Sequence, residues 1–489
     1  MKRIIIALSC LLCVQAAIAI PLRVFYTNDT HGTYLPRTYS TASGKIDLGG
    51  YSELDFILTR QRQEVTRSIY LDAGDEQTGS IFSSLPHNGA IGGAVNEVFN
   101  LLQLDAACYG NHEFDQSFSN TMALTKISKY PFVSTNLRDK KTGKPTPGVP
   151  YTIIKRDSLR IGVLGLTLLE LPEKVKATNV RTIDILPYKV AIDKYLKDLD
   201  KATDLIVVLS HMGSTADSML ALSLDHRIDM IIGGHDHRIL EEPLVVNNIL
   251  ILQTGAYLLN LGQIDLDVVN DRIAHYKNAL IPVSVKEPMP ATEVSRFVDR
   301  IKGQINSDLN VVIGTIPEDW IPNKYLETVV SRWQVDALRK QYAEIYHPDI
   351  AMINCGGIRR SIAKGDVTLK DMTEMLPFNN KITLFSCKGS DLITFYKRNE
   401  EHKVSKPFDI VQATPMGWTT KTELETGLPG NFSVDGSKLI PDKTYRIVSH
   451  DYLAGQWDKY LGFEPFDVYD TGDLILDALV DQIKKQYAK

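Results

Sequence analysis

Residues 110–115 read Gly-Asn-His-Glu-Phe-Asp and directly follow the apolar run Ala106–Tyr109, so an amide, an imidazole and two carboxylates stand where a strand would end. Such groups can cap a polar turn, hold a divalent cation or move a proton. Recurrence favours the chemical roles. Leu22–Tyr26 ends in Thr27-Asn28-Asp29-Thr30-His31-Gly32, and Ser68–Leu71 ends in Asp72-Ala73-Gly74-Asp75. Asp204–Leu209 ends in Ser210-His211-Met212-Gly213, and Asp229–Ile232 in Gly233-Gly234-His235-Asp236-His237. Asp29, His31, Asp75, Asn111, His211, His235 and His237 together offer oxygen and nitrogen donors and no thiolate. That donor chemistry suits Zn, Mn, Co or Fe better than a cysteine-type structural zinc site. One ion takes about four protein ligands, so this set predicts two divalent metal ions sharing a carboxylate.

The five runs are short and β-rich, and stretches of helical composition such as Gly92–Leu104 and Tyr188–Lys201 lie between them. Strands alternating with helices predict an α/β fold whose loops gather at one sheet edge, where ligands bind.

The ordered set Asp29-x-His31, Gly74-Asp75, Gly110-Asn111-His112-Glu113, His211 and Gly234-His235-x-His237 resembles the calcineurin-like metallophosphoesterases. The Gly-Asn-His-Glu-Phe-Asp spelling is similar to the branch of secreted 5'-nucleotidases and UDP-sugar hydrolases. Asn354-Cys355-Gly356-Gly357-Ile358-Arg359, the Gly365-Asp366 turn and Leu376-Pro377-Phe378-Asn379-Asn380 resemble that branch's substrate domain, so the likeness spans nearly the whole chain. The resemblance implies an N-terminal metallophosphoesterase β-sandwich flanked by helices, a linker helix and a smaller α/β C-terminal domain. It implies one ion on Asp29, His31, Asp75 and His237, and a second on Asp75, Asn111, His211 and His235, with Asp75 as the bridge. His112 and Asp115 match the catalytic pair, the imidazole stabilising charge at the reacting phosphate or leaving oxygen and the carboxylate orienting it. Glu113 and Phe114 read as structural. Substrate contacts are implied for Arg359 and Asn379, and Phe408 and Tyr460 match two aromatic rings that clamp the nucleobase. The chain departs from the pattern here: Gly455-Gln456-Trp457-Asp458-Lys459-Tyr460 replaces a glycine-rich turn, so Trp457 or Phe463 are alternative second rings, and Ser117 stands where glycine is common.

At 489 residues, 44% hydrophobic and 23% charged, the chain exceeds one ordinary core and reads as two globular domains. Pro282, Pro288 and Pro290 interrupt it, and Val294, Phe297, Val298, Ile301 and Ile305 then recur at helical spacing. The expected division is 1–19 leader, 20–288 catalytic domain, 289–310 linker helix and 311–489 substrate domain; the resemblance adds a hinge near 290–310. Lys2 and Arg3, an apolar stretch and Ala17-Ile18-Ala19 read as a secretory signal, which places the mature protein in a periplasm or outside the cell. No later stretch approaches a membrane span. Cleavage leaves Cys108, Cys355 and Cys387, enough for one disulfide at most. The formal charge is −5, or −7 without Lys2 and Arg3, with no long basic run, which argues against a nucleic-acid polymer as partner.

The expected function is hydrolysis of the 5'-phosphate of nucleoside monophosphates by a metal-activated hydroxide, with a small nucleotide as substrate. UDP-sugar hydrolysis or 2',3'-cyclic nucleotide phosphodiesterase activity is the alternative within the same chemistry. A surface binding protein that has lost the chemistry is the alternative outside it.

Overall fold

The computed structural model describes residues 19–41, 44–304, 307–378, 380–418 and 432–488. The leader up to Ile18, Ile305 of the amphipathic pattern and Asn379 lie outside the described residues.

The five apolar runs become strands, divided between two sheets. Ile20–Thr27, Ser68–Asp72 and Ala106–Cys108 lie side by side in parallel, within a six-stranded sheet whose far edge is the antiparallel pair Asn260–Val268 and Ile273–Pro282. Leu159–Thr167, Leu205–His211 and Met230–Gly233 run parallel in a second six-stranded sheet. Side-chain alternation fixes how the sheets pack. Val24, Tyr26, Leu205, Val207 and Leu209 point into one core shared by both sheets. Phe25 faces the opposite way, onto the helices Tyr51–Gln63 and Gly93–Leu101. Ile206 and Val208 pack under Tyr188–Ala202 and Ser214–Ser223. The result is a β-sandwich with helices on both outer faces, as the resemblance implied. Paired ends Thr27 with Asp72, and Thr167 with His211, bring the carboxyl ends of both parallel sets to a common edge.

The helix Glu293–Gln304 buries Val294, Phe297, Val298 and Ile301 in the core of this first domain, with the Phe297 ring 6.3 Å from Phe82. Each such side chain contributes about 1.5–3 kcal/mol of burial, so the connecting helix packs as part of the first domain. The second domain is a five-stranded sheet in the order Val411–Thr414, Ile350–Asn354, Thr444–His450, Lys381–Lys388, Phe466–Leu474. Val329–Gln341 and Ile475–Gln486 cover one face and Gly389–Ser405 the other. Cys108, Cys355 and Cys387 are buried and free. Among the described residues no helix is long and apolar enough to cross a membrane.

Candidate metal centre and active-site cleft

The turns that leave the common edge carry the predicted donors, and their backbones are under strain. Asp29, His31, Asp75, His235 and His237 all have positive φ, between 50° and 85°, a region that costs energy for any residue with a Cβ. Neighbouring turns hold one another in place: Asp29 N donates to Gly74 O at 2.9 Å, and His31 N donates to Asp75 O at 3.0 Å. Gly74, at φ 86°, passes so close to the next turn that a Cβ would lie 2.5 Å from Gly110 N. A Cβ on Gly110 would strike the Asp75 carboxylate. These glycines let three loops converge on one point.

His31, His237 and Asp29 form one group: His31 Nε2 is 3.1 Å from His237 Nε2, which is 3.3 Å from Asp29 Oδ1. Asp75, His211 and His235 form another, with His211 Nε2 3.1 Å from Asp75 Oδ2. Asn111 Oδ1 joins it, 3.1 Å from His235 Nδ1. Asp75 stands between the groups and also lies with His31 and His112. The second contacts of the rings fix their tautomers. His31 Nδ1 donates to Thr78 O and His211 Nδ1 to Ala73 O, each at 2.8 Å, so both Nε2 atoms present lone pairs to the centre. His211 Nε2 is buried without a hydrogen-bond partner, a short distance from a carboxylate oxygen. Lone pairs aimed at one another in this way fit around a cation. Burial holds His31 well below its ordinary value and His235 down at about 4, leaving neutral ligands. Burial pulls His211 down as well, but the Asp75 carboxylate outweighs it and raises the ring to about 10; the site calls for positive charge at that point.

His112 lies beside this donor set. Its Nδ1 donates to Asp115 Oδ2 at 2.6 Å, and Thr78 Oγ1 donates to the same oxygen at 2.7 Å. Burial opposes protonation of His112, yet Asp115 and Asp75 lift it above its ordinary value. Glu113 points away from the cleft. Its carboxylate accepts from Gly110 N at 2.7 Å, Asp75 N at 3.1 Å and Gln77 N at 3.2 Å, clipping two loops together.

A cleft of about 440 Å³ opens over the centre, and both domains line it. Arg359 reaches it from the second domain, its guanidinium 5.8 Å from the Phe378 ring, which in turn stacks 6.1 Å from His112. Gln456 Nε2 donates to Pro172 O and Val175 O, both at 3.1 Å, and Lys176 pairs with Asp451 at 2.8 Å, which closes one side. The two rings matched to a base clamp differ in setting. Both line the cleft, but Phe408 is half-buried there, whereas Tyr460 is 1% exposed and anchored through its hydroxyl, 2.6 Å from Asp409 Oδ1. Their centroids are 6.5 Å apart at 58°, and Lys459 Nζ lies 4.8 Å from one and 4.7 Å from the other. Trp457 and Phe463 pack into the core behind them and are not among the residues lining the cleft.

Comparison with known proteins agrees with this geometry over most of the chain. Residues 22–238 match the calcineurin-like phosphoesterase family, and residues 312–465 match the 5'-nucleotidase C-terminal domain. The chain is a 5'-nucleotidase-type metallophosphoesterase. A 5'-nucleotidase of Vibrio vulnificus is 26% identical, the alignment covering 95% of this chain and 90% of the relative. An apyrase of Tabanus yao is 24% identical over 90% of this chain and 86% of its own length. The crystal structure of a 5'-nucleotidase precursor from Thermus thermophilus shares the fold, with a TM-score of 0.80, 21% identity and coverage of 96% and 97%.

Within this metallophosphoesterase, some cleft residues carry no local sequence signal. Thr78 reaches Asp115 from a separate loop. Asn28 donates to Asp29 Oδ2 at 2.6 Å and to Gly255 O at 2.7 Å, holding a donor carboxylate in place. Lys174, Lys324, Phe378, Tyr452 and Lys459 line the cleft from four distant parts of the chain. Asn28, Phe378 and Lys459 do lie within motifs read from the sequence, although nothing there marks them as cleft residues, whereas Thr78, Lys174, Lys324 and Tyr452 lie outside any such motif.

Proposed function

We propose that this hydrolase removes the 5'-phosphate of nucleoside monophosphates outside the cytoplasm, its leader being cleaved after Ala19. The observation that carries the reading is the position of Asp75, which lies with His31 and His112 on one side and with His211 and His235 on the other, in a cleft that His112 and Arg359 also line. Asp29, His31, Asp75 and His237 would hold one divalent ion, and Asp75, Asn111, His211 and His235 a second. When bound, such a pair lowers the pKa of water toward about 7 and neutralises phosphoryl charge.

The chain's own groups would supply the rest. Arg359 projects beside Gly356 and Gly357 and presents a planar fork of N–H donors to phosphate oxygens. Asp115, fixed by Thr78, holds the imidazole of His112 with Nδ1 occupied, so that Nε2–H is directed to the leaving oxygen. A proton or hydrogen bond delivered there typically contributes about 10²–10⁴-fold. Phe378 packs against both His112 and Arg359 and limits water around them. Phe408 offers a face for the base at the opposite wall.

The test is a panel of AMP, UDP-glucose, 2',3'-cyclic AMP and p-nitrophenyl phosphate on metal-replete protein. Preferred release of phosphate from AMP is the expected result. Preference for UDP-glucose or the cyclic ester would replace the monophosphatase reading, and inactivity on all four would leave a binding protein.

A further inference from the structure

We propose that Asp409 is a positioning residue for phosphate binding: its carboxylate fixes the glycine turn that precedes Arg359 and ties that turn to the ring wall of the cleft. The inference rests on Arg359 receiving the phosphate, as read above, and adds a residue on which that contact depends.

Arg359 is carried by a short stretch of the second domain whose two ends are held by backbone bonds. Cys355 N donates to Ile410 O, and Arg359 N donates to Met375 O, each at 2.8 Å. Between them Gly356 and Gly357 line the cleft, and a side chain from a distant part of the sequence grips this middle. Asp409 Oδ2 accepts from Gly356 N at 2.8 Å and from Asn354 Nδ2 at 2.9 Å, while Oδ1 accepts from the Tyr460 hydroxyl at 2.6 Å. Glycine is needed for that approach, because a Cβ on residue 356 would lie 2.6 Å from Asp409 Oδ2.

A carboxylate that lines the same cleft as an arginine is a ready partner for it, and such a pair would withhold the guanidinium from phosphate. Asp409 instead directs its bonds to Gly356, Asn354 and Tyr460, and the Arg359 guanidinium lies 5.8 Å from the Phe378 ring. The carboxylate therefore acts on the arginine through the backbone. Its other oxygen holds Tyr460, in the turn that reaches the catalytic domain through Gln456 to Pro172 O and Val175 O and through Lys459 Nζ to Glu173 O at 3.2 Å. Hydrogen bonds to a charged acceptor are about twice as strong as neutral ones, so this one group sets the phosphate arm against the opposite wall.

The test measures Kd for inorganic phosphate by calorimetry and KM for p-nitrophenyl phosphate on metal-replete full-length protein, since neither ligand carries a ribose or a base. We expect Asp409→Ala to weaken both about tenfold, the effect of one hydrogen bond to a charged group, with kcat and metal content unchanged. Gly356→Ala, which keeps the carboxylate but blocks its approach, should do the same. Asp409→Asn retains an acceptor for Gly356 N and Asn354 Nδ2 and can donate to the Tyr460 hydroxyl, so it should stay within about twofold of wild type. In an Arg359→Met background Asp409→Ala should add nothing, because effects passed through one residue are not additive. A full further loss in that background would overturn the positioning role, as would an unchanged Kd in folded Gly356→Ala or a loss in Asp409→Asn as large as in Asp409→Ala. A defect confined to AMP would overturn it as well, making Asp409 a substrate contact. Unchanged phosphate affinity in Arg359→Met would reject Arg359 as the phosphate arm and the inference with it. The expected changes in Kd without hydrolysis of any ester would sink the monophosphatase reading and leave the role of Asp409 standing.

Discussion

His112 Nδ1 and Asp115 Oδ2 stand 2.6 Å apart, three residues along one turn, with the carboxylate oxygen also receiving Thr78 Oγ1. The pair is thus oriented from outside its own motif. We expect Asp115→Asn to lower kcat by about 10–100-fold by removing the charge that supports a protonated imidazole, and Thr78→Val to have a smaller effect, each within the range of one proton-transfer group. An unchanged kcat in Asp115→Asn would leave the carboxylate without an orienting role.

The two halves of the Asn111-His112 dipeptide separate ligand from catalyst. Asn111→Ala should lower metal occupancy measured by elemental analysis. His112→Ala should retain metal and lose about 10²–10⁴-fold in kcat. Loss of metal from the His112 variant, with turnover per loaded centre intact, would exchange the roles.

Removing the metal tests the donor set as a whole. Exhaustive chelation should abolish activity, and Mn, Co or Zn should restore it. Because metal held by these groups would bind the native state alone, each site filled at 100 times its Kd should stabilise the protein by about 2.7 kcal/mol. Full activity in protein shown to be metal-free would reject the arrangement.

The two rings near Lys459 should respond differently to truncation. Tyr460→Ala removes a buried ring and an anchor on Asp409, and is expected to cost about 3–5 kcal/mol of stability and to damage AMP and p-nitrophenyl phosphate hydrolysis alike. Phe408→Ala, at the cleft wall, should raise KM for AMP with little effect on the aryl phosphate. Equal losses on both substrates in Phe408→Ala would show that this ring, too, is only part of the core.

Burial pushes the Lys459 ammonium down to about 8, with Asp409 opposing and Lys174 assisting. The native state therefore releases this proton at a lower pH than the unfolded chain, whose lysine titrates near the usual 10.5. Below pH 8 the buried charge costs its full amount, and the cost fades between about 8 and 10.5. Lys459→Met should accordingly melt higher than wild type at pH 7, and the difference should shrink by pH 9. A lower melting temperature at pH 7 would identify the ammonium as a stabiliser.

Much of the centre was legible in the sequence because its donors end strands, and strand ends are marked by apolar runs that stop at Gly, Asp or His. The apolar period locates Leu205–Leu209, but it does not say that this strand belongs to a different sheet from Val24–Tyr26; both patterns are equally apolar, and only packing divides them. His211 illustrates a smaller difference. The sequence places it in a loop, whereas it is the last residue of its strand, paired with Thr167. The cleft lysines were illegible for a different reason: positions 174, 324 and 459 share no motif, and the folded arrangement alone brings them together. The family pattern matched Tyr460 to a ring in the cleft, and it does line the cleft, but its ring is almost wholly buried and its hydroxyl is tied to Asp409.

The donor set draws Asp29, His31, Asp75 and Asn111 from the edge of one sheet and His211, His235 and His237 from the edge of the other. Neither sheet alone carries both groups, and the first and last donors are separated by most of the catalytic domain. A chain emerging in order from its N-terminus would thus have only half a coordination sphere until the segment through His237 had appeared and its strands had docked. Metal held by these groups would therefore be captured late in the formation of this domain, fastening two sheets that have already docked.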